Sequence, residues 1–125
     1  MNLLLDTHVL IWSLENNATL SDIAREAIVD GENVVFVSAV SVWEISVKQT
    51  LGKLSVPDNL ISEIQLHRFT PLEIGFHHAK LAGELPPIHK DPFDRMLIAQ
   101  AMLEKLQLVT RDSFMSQYDV KILNA

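Results

Sequence analysis

Two apolar runs in this chain each stop at an aspartate, and most of the sequence lies between them. The first is Leu3-Leu4-Leu5-Asp6. The second runs from Leu106 through Leu108 and Val109 to Asp112. A short apolar run that ends at a polar residue reads as a strand buried on both faces of a parallel sheet. Ligands of open α/β sheets bind outside the carboxyl ends of the strands. Asp6 and Asp112 are therefore expected to meet at one edge. Two carboxylates held close repel unless a proton or a cation lies between them. A divalent metal site is the first functional expectation.

Between the two runs, strand and helix signals alternate as in βα units, which predicts an α/β fold. Val9 to Leu14 reads as a short apolar helix. Ser21 suits the N-cap of a helix through Val29, stopped by Asp30-Gly31. Val34–Val37 is β-branched and aromatic, a buried strand. Ser41 is expected to open a helix that ends near Gly52, and Pro57-Asp58 another that runs to about Leu66. Phe69 to Ile74 reads as a short strand, and Phe76 to Glu84 as a helix. Asp91-Pro92 opens a long helix to about Lys105. Gln107–Thr110 is a strand, a helical turn follows Asp112, and a last strand covers about Val120 to Leu123. With no repeats and no linker, residues 1–125 are expected to form a single domain.

The chain has no cysteine, so any metal must use oxygen or histidine ligands. That donor set favours Mg²⁺ or Mn²⁺ over a structural zinc. The N-terminus lacks a basic region and a cleavage signal, and no apolar stretch reaches membrane-spanning length. A soluble, cytoplasmic protein with no membrane partner is expected. The net charge of -6 weighs against a general nucleic-acid binder. It weighs less if several acids surround bound cations.

The acids that bear on such a site each have a plain structural reading as well. Asp6 can cap the helix that follows it. Glu44 lies three residues after Ser41, a capping-box spacing, and four before Lys48, an ion-pair spacing. Asp91 as N-cap, Pro92 at the first helical position and Asp94 at the third make a good helix start. Asp112 can cap the turn at Ser113-Phe114-Met115. Of the histidines, His8, His67, His77, His78 and His89 show no metal-protease spacing and read as surface or packing residues. No glycine-rich phosphate loop and no nucleophile elbow occurs.

Taken together, the strand ending in Asp6-Thr7, the helix with Glu44, Asp94-Arg95 ahead of Met96-Leu97-Ile98-Ala99-Gln100-Ala101, and Thr110-Arg111-Asp112 resemble the PIN domain. More narrowly, Leu5-Asp6-Thr7-His8-Val9-Leu10 and His89-Lys90-Asp91-Pro92-Phe93-Asp94-Arg95 are similar to VapC toxins of bacterial toxin–antitoxin pairs. The resemblance spans the whole chain. It implies a three-layer α/β/α sandwich with a central, mainly parallel sheet, and a metal-dependent ribonuclease. The family's acidic quartet carries over onto Asp6, Glu44, Asp94 and Asp112 as metal-holding catalytic residues, with Mg²⁺ or Mn²⁺ as the cofactor. Thr110 matches a small polar residue near the metal, and Asp91 is an additional acid, a cap or a support. Arg95 and Arg111 stand beside the acids in sequence and are candidates to steady a phosphate, as is Lys90; each equally suits a surface ion pair. The partners implied are an RNA substrate, a small antitoxin docking on apolar surface near Trp12 or Trp43, and a second copy in a homodimer.

Two other readings compete. An α/β phosphatase or phosphotransferase would use Asp6 as nucleophile. The haloacid-dehalogenase pattern wants a second aspartate two residues on, where this chain has His8. A non-enzymatic interaction domain would use the acids as caps alone.

Overall fold

The computed structural model describes residues 1–56 and 58–125. Five strands form one all-parallel sheet: β1 (Asn2–Leu5), β2 (Val34–Ser38), β3 (Thr70–Leu72), β4 (Gln107–Thr110) and β5 (Ile122–Asn124). Their spatial order is β3-β2-β1-β4-β5. The chain builds outward from β1 to β3, then returns to the other side of β1 with β4. Strand order thus reverses between β1 and β4, where such sheets open a crevice. The expected mainly parallel sheet is parallel throughout.

Six helices cover the sheet: α1 (Thr7–Leu14), α2 (Asp22–Val29), α3 (Ala39–Thr50), α4 (Leu60–Leu66), α5 (Phe76–Glu84) and α6 (Pro92–Glu104). Side chains alternate across a strand, and here both faces are apolar. Leu3, Leu5, Val35, Val37 and Val109 pack with α1, α2 and Ile64 of α4. Leu4, Phe36 and Leu108 point the other way, into Leu97, Ile98 and Ala101 of α6 and Ala82 of α5. Burial on both sides explains why Leu3-Leu4-Leu5 is unbroken rather than alternating. The result is the three-layer α/β/α sandwich.

Local details differ from expectation where a cap sits closer to its strand. The third helix begins at Ala39, not Ser41. Ser38, the last residue of β2, caps it by accepting a hydrogen bond from the Val40 N–H at 3.0 Å. Ser41 lies inside the helix, fully buried. The first helix begins at Thr7, capped by Asp6. Strand β3 is only three residues, with Pro71 tolerated on the sheet edge. Strand β5 runs two residues later than expected at its start. The start expected at Pro57 lies outside the described residues; α4 itself begins at Leu60. The turn after Asp112 is a single 3₁₀ turn, Met115–Gln117. Among the described residues, no helix is long and apolar enough to cross a membrane.

Candidate metal centre

The crevice between β1 and β4 is built from strand ends. Leu5 pairs with Val109, so the next residue on each strand, Asp6 and Thr110, stand side by side. The Asp6 N–H extends the ladder to the Val109 carbonyl at 3.1 Å. The Asp6 carboxylate is buried and accepts two bonds. Oδ1 takes the Val9 N–H at 2.7 Å, the cap of α1, and Oδ2 takes the Thr110 hydroxyl at 2.5 Å. Burial pushes the Asp6 pKa up, and the Thr110 hydrogen bond opposes that shift. The same Thr110 oxygen accepts the Asp112 N–H at 3.0 Å, tying the two aspartates through one hydroxyl.

Glu44 comes from α3 and is 2% exposed. The Thr7 hydroxyl donates to its Oε1 at 2.6 Å, and the Lys48 ammonium pairs with Oε2. The capping-box spacing is therefore not used, whereas the i,i+4 pair is. Thr7 also lies 3.0 Å from the buried Ser41 hydroxyl. The Glu44 hydrogen bond holds the Lys48 pKa above its usual value.

Asp91 caps α6 through Oδ1, which accepts from the N–H groups of Phe93 and Asp94 at 2.8 and 3.3 Å. That fixes the first turn and aims Asp94 into the crevice. Asp112 uses Oδ1 to accept the Phe114 N–H at 2.8 Å, which leaves Oδ2 toward Asp94. His89 joins them: its Nε2 lies 3.0 Å from Asp94 Oδ2 and 2.9 Å from Asp112 Oδ2. The three ligand atoms lie within 4.8 Å of one another, a grouping of cation-binding size. Asp6 and Glu44 stand outside this tight group. Their charges still reach it, for the Asp94 carboxyl is pushed up to about 7. Burial is the main cause, followed by Asp91; His89 opposes the shift, and Glu44 and Asp6 add repulsion. A crowd of hard oxygen donors whose charges raise one another suits Mg²⁺ or Mn²⁺.

Two of the candidate cations face elsewhere. The Arg95 guanidinium gives its N–H groups to the carbonyls of Ala82, Gly83, Leu85, Pro86 and His89. Arg111 donates to Ala125 and Thr19 oxygens and stacks 4.8 Å over the Trp12 ring. Adjacency in sequence put both beside the acids, whereas their side chains here bind backbone oxygens of the fold. Lys90 is exposed. Asp91 serves as the cap.

His89 is the residue that the sequence reading set aside. His8, His67 and His77 are exposed, and His78 is a packing histidine bonded to Glu104 and the Gly75 N–H. His89 alone of the five makes an acid pair in the crevice. The available signal was its place just before the Asp91-Pro92 helix start, which predicts a side chain near the first turn of α6.

Solved structures share this fold. VapBC2 from Rickettsia felis, bound to a DNA fragment from its promoter, superposes with TM-score 0.72 at 15% identity, over 99% of this chain and 98% of that one. DNA-bound VapBC from Salmonella typhimurium gives 0.70 at 17% identity, over 99% and 98%. FitAcB from Neisseria gonorrhoeae gives 0.60 at 19% identity, over 98% and 96%. No curated protein sequence matches the chain. The PIN domain profile matches residues 3–121, nearly its full length, and the chain belongs to the PIN domain family.

Proposed function

We propose that this protein is a divalent-metal-dependent endoribonuclease and the toxin of a toxin–antitoxin pair. The observation that carries the reading is the meeting of Asp94 and Asp112 at the β1–β4 crevice, with Asp6 and Glu44 close enough to raise the Asp94 pKa. Membership of the PIN domain family and the likeness to VapBC structures support it. Asp6, Glu44, Asp94 and Asp112 would hold Mg²⁺ or Mn²⁺. When bound, the ion supplies Lewis-acid chemistry: it acidifies water and offsets charge on a phosphodiester.

The chain's own residues set the geometry. Asp6 directly follows β1, and Asp112 lies two residues beyond β4. Thr110 orients both through its hydroxyl. Thr7 and Lys48 hold the Glu44 carboxylate in one position. Lys48, held by its pair with Glu44, is a cation beside the site, and Asp91 and Asp94 also help to hold its pKa up.

The partner is a small antitoxin whose apolar segment docks on the helical layer. The groove between α1 and α4, about 330 Å³ and lined by Ile11, Leu14, Val56 and Leu60, suits such a segment. Trp43, 58% exposed, is a second contact. The protein would itself pair as a homodimer, which sedimentation reads as about twice the chain mass.

The test is cleavage of a structured RNA by the purified chain. Cleavage should need Mg²⁺ or Mn²⁺, stop with EDTA, and fall by at least about a hundredfold in Asp112→Asn. Metal-independent cleavage, or none by a folded protein with either ion, would refute the reading. The phosphatase alternative predicts release of phosphate from a phosphomonoester instead.

A further inference from the structure

His89 makes contacts that neither a surface nor a packing histidine needs, and several residues are spent on placing it. Its N–H donates to the Tyr118 hydroxyl at 2.8 Å, and that hydroxyl donates to the Pro86 carbonyl at 2.6 Å. Its carbonyl accepts from Arg95 at 3.2 Å, and its ring meets Phe114 at 5.6 Å. The backbone of His89 is thus pinned on both sides.

The ring's tautomer follows from one contact. The Asp91 backbone N–H lies 3.2 Å from Nδ1 and can only donate, so Nδ1 is an acceptor. The proton of the neutral ring therefore sits on Nε2. Nε2–H points between Asp94 Oδ2 and Asp112 Oδ2, at 3.0 and 2.9 Å. Ligands about 2.1 Å from an octahedral ion stand about 3.0 Å apart. The spacing is that of three neighbouring ligands, yet Nε2 has a proton where a ligand needs a lone pair.

We infer that His89 is a positioning residue that acts as a placeholder for the cation, an N–H donor bridging Asp94 and Asp112 until a metal takes both oxygens. This inference rests on the metal-site reading above. While the site is empty of metal, the bridge keeps two crowded carboxylates aimed at one point. When an ion binds, Nε2–H would point its proton at a cation, so the ring turns away. The hydrogen bonds given up are subtracted from metal binding, and His89 thereby sets the site's affinity.

Calorimetric titration of the full-length chain with Mn²⁺ alone tests this. His89→Ala should bind Mn²⁺ roughly tenfold more tightly than the parent, the scale of one charge-assisted hydrogen bond. Its melting temperature should fall without metal and match the parent's at saturating Mn²⁺. Weaker binding by His89→Ala would make His89 a ligand and overturn the placeholder. Nitrogen-15 NMR of the parent protein gives a readout that needs no variant. A protonated Nε2 and bare Nδ1, kept when Mg²⁺ is added, supports the inference; a protonated Nδ1, or Nε2 coordinated to the ion, overturns it. A parent chain that binds no Mn²⁺ would remove the metal site itself, and the placeholder with it.

Discussion

Asp94 carries the largest consequence of crowding at the scale of single residues. Its pKa is raised to about 7 by burial and by Asp91, Glu44 and Asp6. A carboxyl raised in the folded state binds a proton there that the unfolded chain has already lost. Between about pH 4 and 7, stability contributed by this group therefore falls as pH rises. Asp6, also raised, acts in the same direction. In EDTA, the parent should lose melting temperature relative to Asp94→Asn as pH rises between about pH 4 and 7, with no further loss above that. With Mn²⁺ the order should reverse at the upper end, because asparagine brings no charge to the ion. Melting curves that stay parallel across that range would contradict the assigned crowding. The four acids were expected as a set by resemblance; the structure groups Asp94 and Asp112 and gives Asp6, Glu44 and Asp112 local partners as well. Asp6 caps a helix and Asp112 caps a turn while both face the crevice, so cap and site readings coexist. His89 was not legible. Its partner Asp112 lies 23 residues away, and no spacing rule links a loop histidine to a strand end. Adjacency to an acid says little about direction: helix neighbours such as Asp94 and Arg95 point about 100° apart, and Arg111, just past the end of β4, turns to the Ala125 and Thr19 oxygens.

At the scale of elements, the loop between α5 and α6 is held by Arg95 together with the Tyr118 hydroxyl. Arg95 reaches back from the first turn of α6 to five carbonyls of residues 82–89. Arg95→Met leaves those carbonyls to water or unpaired, and should cost about 2 kcal/mol of stability. The cost should be the same in EDTA and in Mn²⁺, since the guanidinium faces away from the crevice. Chemical denaturation under both conditions measures it. A loss of RNA affinity with no loss of stability would restore the phosphate role. The strands were legible because burial on both faces leaves runs such as Leu3-Leu4-Leu5 with no polar break. The start of α6 was legible because Asp91, Pro92 and Asp94 each suit their position. The start of α3 was not, because Ser38 and Ser41 are both good caps. The choice between them depends on β2 ending directly in the helix, without a loop. β3 was read too long: Phe69 is buried without joining the ladder, and the exposed Ile74 lies past its end.

At the scale of the whole molecule, the sheet order explains why two aspartates so far apart in sequence come to the same edge of the sheet. β1 and β4 are neighbours at the point where strand order reverses. Every acid of the quartet is delivered there by a different element. A cation bound between them links those elements and should stabilise the fold, by about 2.7 kcal/mol at a hundredfold excess over its Kd. The central claim is that this meeting point is a metal-dependent nuclease site rather than a set of helix caps. Asp6→Asn separates the two most directly, because asparagine caps helices about as well as aspartate but is a poor ligand for Mg²⁺. The measurement is RNA cleavage in Mg²⁺ by Asp6→Asn and parent, with melting in EDTA as the control for folding. The account predicts near-equal melting and a loss of cleavage of at least about a hundredfold. A variant that melts like the parent and cleaves RNA at the parent rate would contradict it.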